Sequence, residues 1–342
     1  MQATATATIF MGLTMSSIFV MMSNNWLLAW LNLEMNTLAV LPVISKTKHP
    51  RAIEASTKYF LTQTIASCLL LFSCTTNAWY TGTWSITQMD DTYTSTLVLL
   101  ALTMKAGTVP THFWLPEVMQ GSTLTTTMLM STWQKMAPMA LIYSVSNHAS
   151  PNITLMLGLL STTFGGWGGM NQTQLRKMMA YSSITNMGWT VMILALQPKA
   201  SMISIFTYII TIIPTILMME LTSTKTLQNM TTSWSTSPTT TTLLALLLLS
   251  TAGLPPLTGF IPKLLILNEL VTQNLTPTAV AAATASLLSL IFYLRMAYLT
   301  ALLNSPGSAT STMKWRQKIE TKTTTLTPTA LTTMMMLPAM TK

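Results

Sequence analysis

The chain has 342 residues, of which 50% are hydrophobic and only 7% are charged, and its formal net charge is +9. Soluble domains carry charge on roughly 25% of their residues, so this composition predicts a polytopic membrane protein. The basic residues lie in short loops beside apolar runs, which is a topology signal of membrane proteins. No extended basic and aromatic surface indicates nucleic-acid binding.

Apolar runs long enough to cross a bilayer recur along the whole chain. A spanning helix needs about 20 mainly apolar residues, and on that rule the sequence predicts about eleven spans. We therefore predict an all-α fold in which residues 1–342 form a single transmembrane domain. The spans lie near residues 2–22, 26–45, 58–79, 94–118, 122–146, 151–169, 175–196, 200–222, 239–271, 276–302 and 324–341.

The loops between these spans indicate the orientation. Basic clusters follow the second, sixth, eighth and tenth spans, so alternating spans bring them all to one face. The positive-inside rule places that face, with the N-terminus, on the matrix or cytoplasmic side, and the C-terminus on the other side. No basic presequence precedes the first span, and we expect an organelle-encoded chain. The basic residues are Lys46, Lys48, Arg51, Lys58, Arg176, Lys177, Lys225, Lys314, Arg316, Lys318 and Lys322.

Two of the spans are interrupted by proline and glycine close to a lysine. Lys105 precedes Pro110 in one span, and Lys263 follows Pro256 in the other. Charged, broken helices at corresponding positions point to inverted repeats that meet at a site near the membrane midplane. We therefore divide the chain into N-terminal helices (1–90), a first repeat region (91–222) broken near 106–111, and a second repeat region (223–342) broken near 253–259.

Three lysines within the spans, Lys105, Lys135 and Lys263, are the main candidates for the chemistry. A lysine at the centre of a spanning helix costs roughly 2.5–3.5 kcal/mol on insertion scales. Burial also makes its protonation depend on neighbouring charges, which suits a proton carrier. A proline frees the carbonyl one turn earlier, such as that of Gln134 before Pro138, and such carbonyls can hold water along a path. The alternative is that the lysines extend to the interface and stay solvated.

Three other ionisable residues accompany the lysines. Glu34 lies in the otherwise uncharged second span, and we expect Lys105 as its partner, with solvation at a span end as the alternative. His112 follows the first break and either relays a proton or is a structural, hydrogen-bonded histidine. Glu117 stands at the end of that span, where solvation at the interface is favoured over a place on the path.

Nothing in the sequence indicates a cofactor bound by this chain. Cys68 and Cys74 lie in one apolar run without nearby histidine or carboxylate, so we expect buried, inert thiols rather than a metal or iron–sulfur site. No glycine-rich phosphate loop indicates a nucleotide site. The driving force for proton movement is therefore expected outside this chain.

Motifs at these positions resemble the chain 2 family of mitochondrial NADH–ubiquinone oxidoreductase (respiratory complex I), an antiporter-like membrane-arm subunit related to multi-subunit sodium/proton antiporters. The resemblance covers essentially the whole chain and rests on the motifs together. They are EASTKYFLTQ (54–63), MKAGTVPTHFWLPEV (104–118), TWQKMAP (132–138), GGMNQTQLRKMMAYSSI (168–184) and GLPPLTGFIPK (253–263).

The resemblance implies an antiporter-like fold and proton translocation through Glu34, Lys105, Lys135 and Lys263. It implies that redox chemistry drives this movement from partner subunits, which hold NADH, FMN, iron–sulfur clusters and ubiquinone. Neighbouring antiporter-like subunits and membrane lipids are the implied partners, in the mitochondrial inner membrane, with the N-terminus in the matrix and the C-terminus in the intermembrane space.

The chain departs from the family pattern at Asn186, where a histidine is usual and where the amide cannot titrate. Val109 and Thr111 also replace the expected alanine and phenylalanine, which alters packing but not charge. Two other functions stay open from the residues alone. One is a self-standing sodium/proton antiporter subunit, and the other is a structural membrane spacer whose buried lysines could be neutralised without harm.

Overall fold

The computed structural model describes residues 2–89, 91–235, 238–255, 257–302 and residue 327. The regular structure of these residues is helical without a β-strand, so the predicted all-α fold is confirmed. The helices are α1 (Gln2–Met22), α2 (Trp26–Ile44), α3 (Pro50–Thr81), α4 (Thr92–Ala106), α5 (Trp114–Gly121), α6 (Leu124–Ser131), α7 (Trp133–Val145), α8 (Pro151–Met170), α9 (Leu175–Leu194), α10 (Pro198–Leu221), α11 (Leu227–Thr231), α12 (Pro238–Ala252), α13 (Phe260–Thr272) and α14 (Thr276–Ala301).

The helices follow the predicted spans in order. Each of the first ten spans corresponds to one helix or to two consecutive helices, and the eleventh, 324–341, lies outside the described residues except for residue 327. By length and composition, four described helical stretches could cross a membrane unbroken. These are Trp26–Thr47, Pro50–Thr81, Pro198–Leu221 and Thr276–Ala301.

The fifth predicted span, 122–146, is not one continuous helix. It divides at Thr132, whose N–H and hydroxyl both donate to the Met128 carbonyl, at 3.1 and 2.7 Å. The N–H of Lys135 then bonds to the Thr132 carbonyl in a tighter turn. Pro138, one turn on, has no N–H to donate to Gln134, so the helical ladder is interrupted on both sides of Lys135.

Helix α9 lies at the centre of the bundle, and 16 of its 20 residues are buried. Many buried hydroxyls in this bundle bond to a carbonyl of their own helix. Ser73 donates to Leu70 at 2.8 Å and Thr215 donates to Ile212 at 2.7 Å. These bonds explain how a chain rich in serine and threonine fills an apolar bundle, since a buried hydroxyl must find a partner.

One face of the bundle gathers the basic loops. Arg51, Lys58 and Lys177 line a common cleft, and the Arg176 guanidinium donates to the Ser122 carbonyl. The N–H of Leu175 bonds to the carbonyl of Lys225 at 3.2 Å, which joins two of these loops. The basic residues that follow the second, sixth and eighth predicted spans thus share one face, which we call the basic face.

The loops between the other ends of the helices meet at the opposite face. Asn25 pairs with Ser85, Asn77 donates to the Gln88 carbonyl at 3.0 Å, and His148 lies 3.1 Å from the Thr87 carbonyl. The helices therefore run alternately between two faces, as the sequence predicts for the described part of the chain.

The outward surface of the bundle is strongly apolar. Large side chains such as Leu61, Ile65 and Phe72 on α3 are exposed. Cys68 lies on this same side of α3 and is exposed, whereas Cys74 is buried. The expectation of two buried thiols is therefore wrong for Cys68. The helical period places residue 68 with the outward residues 61, 65 and 72 rather than with the core.

Candidate functional site

The first break begins where α4 ends at Gly107. Its φ of +79° lies in the left-handed region, and its N–H bonds back to the carbonyls of Thr103 and Met104. The N–H of Thr108 also bonds to Thr103, at 3.1 Å, which completes a glycine-capped helix end. The non-helical segment that follows contains the cis peptide bond Val109–Pro110. Lys105 therefore sits in the last turn of α4, directly before the break.

Lys105 and Lys135 line one small cavity of about 20 Å³. Both are buried, with 7% and 3% of their surface exposed. A polar cavity of this volume is large enough for about one water molecule. The other polar residues that line it are Asn36, Thr37, Tyr59, Gln63 and Gln134.

The Lys105 ammonium has no hydrogen-bond partner among the described residues. Glu34 on α2 acts on it electrostatically, but the two do not form a salt bridge in this part of the chain. One carboxylate oxygen of Glu34 is buried without a partner there, and the other accepts from the Thr37 hydroxyl at 3.3 Å. Glu34 and Lys105 thus act on each other without direct contact.

Lys135 is held more firmly than Lys105. It stands in the first turn of α7, and its ammonium donates to the Ser183 carbonyl of α9 at 3.2 Å. It also lies 5.5 Å from the centre of the Tyr208 ring, within the range of a cation–π interaction. The adjacent Gln134 amide donates to the Tyr59 hydroxyl at 2.9 Å, so Tyr59 orients the cavity wall beside Lys135.

The second break separates α12 from α13 and holds Lys263. Gly253 has φ of +81°, and the N–H of Leu254 bonds back to Leu249. The Lys263 ammonium donates to the Ala252 carbonyl at 2.6 Å, at the carboxyl end of α12. A β-carbon on residue 253 would lie 2.9 Å from that ammonium nitrogen. Glycine is therefore favoured here by the backbone turn, and any side chain at this position would displace the Lys263 ammonium.

His112 and Glu117 lie apart from the two lysines that share the cavity. His112 is buried beside Phe113 and Phe164, with ring centroids 4.3 and 6.5 Å away, and its Nδ1 has no partner among the described residues. Glu117 is half-exposed on the basic face, where its carboxylate forms a 2.6 Å salt bridge with Lys58.

The sequences around the two breaks can be aligned with each other. The positions of the lysines relative to the prolines do not show this alignment. Aligned on their glycines, Ala106–Gly107 matches Ala252–Gly253 without a gap. Pro110 and Pro116 then match Pro256 and Pro262, and the helices after the breaks begin at the matched residues Trp114 and Phe260. The similarity is visible in the sequence as AGTVP (106–110) and AGLPP (252–256). Glu117 matches Lys263 in this alignment, and Thr251 matches Lys105.

Two family models together match nearly the whole chain. Residues 23–289 match the model described as "NADH:quinone oxidoreductase/Mrp antiporter, TM", and residues 290–341 match "NADH dehydrogenase subunit 2 C-terminus". Curated relatives named NADH-ubiquinone oxidoreductase chain 2 include one from Tetraodon nigroviridis, 49% identical over 91% of this chain and 89% of its own length. Another, from Salmo salar, is 50% identical over 89% of this chain and 87% of its own.

Solved structures agree with the fold. A chain of respiratory complex I from Thermus thermophilus superposes with a TM-score of 0.85 at 22% identity, over 97% of this chain and 79% of that one. A chain of the Mrp complex from Dietzia sp. superposes with a TM-score of 0.77 at 19% identity, over 87% and 60% of the two chains. At these identities the likeness concerns the fold alone. With the family models and the close relatives, it leads to one assignment: the chain belongs to the NADH:quinone oxidoreductase/Mrp antiporter family of membrane subunits, in its NADH–ubiquinone oxidoreductase chain 2 branch.

Proposed function

We propose that this chain is the proton-translocating membrane subunit of NADH–ubiquinone oxidoreductase, and that Glu34, Lys105, Lys135 and Lys263 carry the protons. The observation that carries the proposal is the cavity shared by Lys105 and Lys135, two buried amines on different helices that face the same polar space. Ionisable residues inside a bilayer are costly and rare, and they mark ion pathways and proton relays. The similar chains are named as chain 2 of NADH-ubiquinone oxidoreductase, so we place the proton path in that complex.

The first step of the proposed mechanism is a change at Glu34. Because Glu34 and Lys105 interact without a direct salt bridge, a shift of either helix alters how strongly the carboxylate stabilises the ammonium. Lys105 then takes up or gives up a proton. Water in the cavity connects it to Lys135, and the proton continues toward Lys263 at the second break.

The energy for this movement comes from partner subunits in the proposal. Those subunits hold NADH, FMN, iron–sulfur clusters and ubiquinone, and other antiporter-like subunits and membrane lipids contact the apolar outer surface of this chain.

The basic face, with Arg51, Lys58 and Lys177, then faces the matrix of the mitochondrion, and the opposite face lies toward the intermembrane space. The divisions at residues 90 and 222 are proposed as the borders between N-terminal helices and the two repeats.

The test compares lysine variants of the assembled complex reconstituted in vesicles. Lys135→Met and Lys105→Met are expected to lower the number of protons translocated per NADH oxidised. Lys135→Arg is expected to be as harmful as Lys135→Met, because arginine keeps the charge but does not release its proton. The matched control is Lys199→Met, an exposed lysine at the start of α10.

Three outcomes separate the candidate functions. Wild-type stoichiometry in assembled Lys105→Met and Lys135→Met complexes would contradict the proposal and favour a structural spacer. Recovery of pumping by Lys135→Arg would show that only the positive charge matters. Proton movement driven by a sodium gradient in the absence of NADH would instead support the self-standing antiporter.

A further inference from the structure

The stretch between Lys135 and Lys263 lacks the titratable residue expected at position 186. Asn186 on α9 donates its amide to the Ser182 carbonyl at 2.9 Å, and an amide does not take up a proton at neutral pH. Two buried tyrosines lie in the same region, Tyr208 on α10 and Tyr293 on α14, with 5% and 1% of their surface exposed. These two hydroxyls therefore offer a polar connection between the two lysines.

Tyr208 is the neighbour of Lys135. The Lys135 ammonium lies over its ring and bonds to the Ser183 backbone. The Tyr208 hydroxyl in turn interacts with the side chains of Ser131 and Ser183, without a direct hydrogen bond of ordinary geometry. This first group thus brings one amine and three hydroxyls together from α6, α7, α9 and α10.

Tyr293 is the neighbour of the second break. Its hydroxyl interacts with the side chains of Ser182, Thr251 and Asn186, again without a direct hydrogen bond of ordinary geometry. Thr251 is followed by Ala252, whose carbonyl accepts the hydrogen bond from Lys263 at 2.6 Å. Tyr208 and Tyr293 pack in the same core cluster and act on each other electrostatically, which brings the Tyr293 group beside the Tyr208 group.

The hydrogen bonds of this cluster leave its serine and threonine oxygens free to accept a proton. Neither tyrosine hydroxyl makes a direct hydrogen bond of ordinary geometry with any described residue. The serine and threonine oxygens can therefore accept from the tyrosines, since each of these hydroxyls already donates to a carbonyl of its own helix. Those bonds are Ser131 to Met128 at 3.0 Å, Ser182 to Met179 at 2.7 Å, Ser183 to Ala180 at 2.7 Å and Thr251 to Leu248 at 2.9 Å.

We propose that Tyr208 and Tyr293, with the hydroxyls of Ser131, Ser182, Ser183 and Thr251, form a hydroxyl relay that carries protons between Lys135 and Lys263 in place of a histidine at position 186. This proposal rests on the function proposed above and names further residues of the same path. An N–H bond of the Lys135 ammonium breaks, and its proton passes to the relay. Each serine or threonine hydroxyl breaks its bond to the carbonyl of its own helix, each relay hydroxyl accepts one proton and releases another, and water closes the gaps until an N–H bond forms on the neutral Lys263 amine. One proton has then moved, and every relay hydroxyl is restored.

A purely structural role for the tyrosines makes a different prediction. Both rings pack in an apolar cluster with residues such as Ile212, Leu247 and Met296. If packing were their whole purpose, phenylalanine would serve equally well, because it fills the same space and removes a buried hydroxyl without a direct partner.

The experiment therefore removes the hydroxyls and keeps the rings. Tyr208→Phe and Tyr293→Phe are made in the whole complex, and protons translocated per NADH oxidised are measured beside Lys135→Met. We expect both phenylalanine variants to fall to the level of Lys135→Met. The matched control is Tyr298→Phe on the same helix α14, because Tyr298 is exposed and lies outside the cluster.

A rescue variant distinguishes a relay from a packing defect. Asn186→His in the Tyr293→Phe background places a titratable ring beside Ser182 and is expected to restore translocation. Thr251→Val, which removes a hydroxyl at nearly constant volume, gives a second measurement if a tyrosine variant does not assemble.

One result would contradict the hydroxyl relay alone, and a different result would contradict the proposed function as well. Wild-type translocation in Tyr208→Phe, Tyr293→Phe and Thr251→Val, with loss in Lys135→Met, would overturn the relay and leave the proposed function standing. Wild-type translocation in Lys135→Met would overturn the proposed function and, with it, the relay.

Discussion

The two breaks can be compared residue by residue. Gly107 and Gly253 end their helices with nearly the same backbone, at φ of +79° and +81°. In each case the residue after the glycine donates back to a carbonyl in the last turn of the preceding helix, Thr108 to Thr103 at 3.1 Å and Leu254 to Leu249 at 3.4 Å. The backbone device that interrupts the helix is therefore the same in both halves of the chain.

The charges at the two breaks differ. The first break has Lys105 before its glycine, where the second has Thr251, and the second has Lys263 where the first has Glu117. Lys105 faces a cavity without a direct partner among the described residues, whereas Lys263 is hydrogen-bonded to Ala252. The two breaks thus share a backbone but hold their lysines differently. Glu34 can influence the charge of Lys105 without touching it, whereas a hydrogen bond fixes Lys263 in place.

This difference indicates a division of labour between the repeats. A coupling signal can act on Lys105 through Glu34, because no salt bridge among the described residues locks the two together. Lys263 sits at the carboxyl end of α12, where backbone carbonyls favour a positive charge. In our interpretation the first break is the responsive end of the path and the second is its receiving end. Three substitutions test this comparison, described from the largest expected effect to the smallest.

Replacing Glu34 by glutamine removes the charge that makes the first break responsive. An electrostatic interaction of about 1–2 kcal/mol at an effective dielectric constant of 20 corresponds to about a tenfold change in the protonation equilibrium of Lys105. We expect Glu34→Gln to lower the protons translocated per NADH oxidised, with Glu220→Gln, an exposed carboxylate of α10, as the control.

The double variant Glu34→Gln/Lys105→Met sharpens this test. Since both residues act on one protonation event, the double variant is expected to translocate no fewer protons than Lys105→Met alone. Additive losses would mean that Glu34 and Lys105 act independently, and the first break would then not be the responsive end.

Replacing Gly253 by alanine tests the receiving end. The left-handed backbone costs a non-glycine residue roughly 1–2 kcal/mol. The new β-carbon would also lie 2.9 Å from the Lys263 ammonium and 3.0 Å from the Gly259 carbonyl. We expect a lower thermal midpoint for retention of this chain in the complex, together with reduced translocation.

Gly82→Ala is the matched control for this effect. Gly82 has φ of +71°, but its β-carbon would meet no heavy atom within 4 Å, so it isolates the backbone cost. A loss at Gly253 no larger than the loss at Gly82 would show that Lys263 does not need the space beside the glycine.

The sequence alone predicts the large features of this molecule well, for physical reasons. Apolar runs, prolines and charge placement are local properties, so the all-α fold and the alternation of loops between two faces follow from them. The sequence does not indicate the interruption at Thr132, because this chain has threonines throughout its spanning helices. The bonds of Thr132 to the Met128 carbonyl reveal the break.

Contacts between helices lie beyond the reach of sequence patterns. The bond from Lys135 to Ser183 joins residues on α7 and α9, and no periodicity identifies Ser183 as the partner. The same holds for Tyr208 and Tyr293, which read as ordinary apolar positions of their helices. The four residues proposed for proton transfer can be identified from the sequence because charged residues are rare in spanning segments. Hydroxyl residues are abundant in this chain, so the sequence does not single out the few that lie near the lysines.

The smallest effect is expected at Glu117, and it tests the comparison most directly. Glu117 occupies the position that matches Lys263, yet it is half-exposed and bonded to Lys58, which also pairs with Glu54. A solvated ion pair of this kind contributes little. We therefore expect Glu117→Gln to translocate protons like the wild-type complex, whereas Lys263→Met does not. Equal losses in the two variants would mean that both repeats use this position for proton transfer, and the asymmetry between the breaks would then lie only in Lys105.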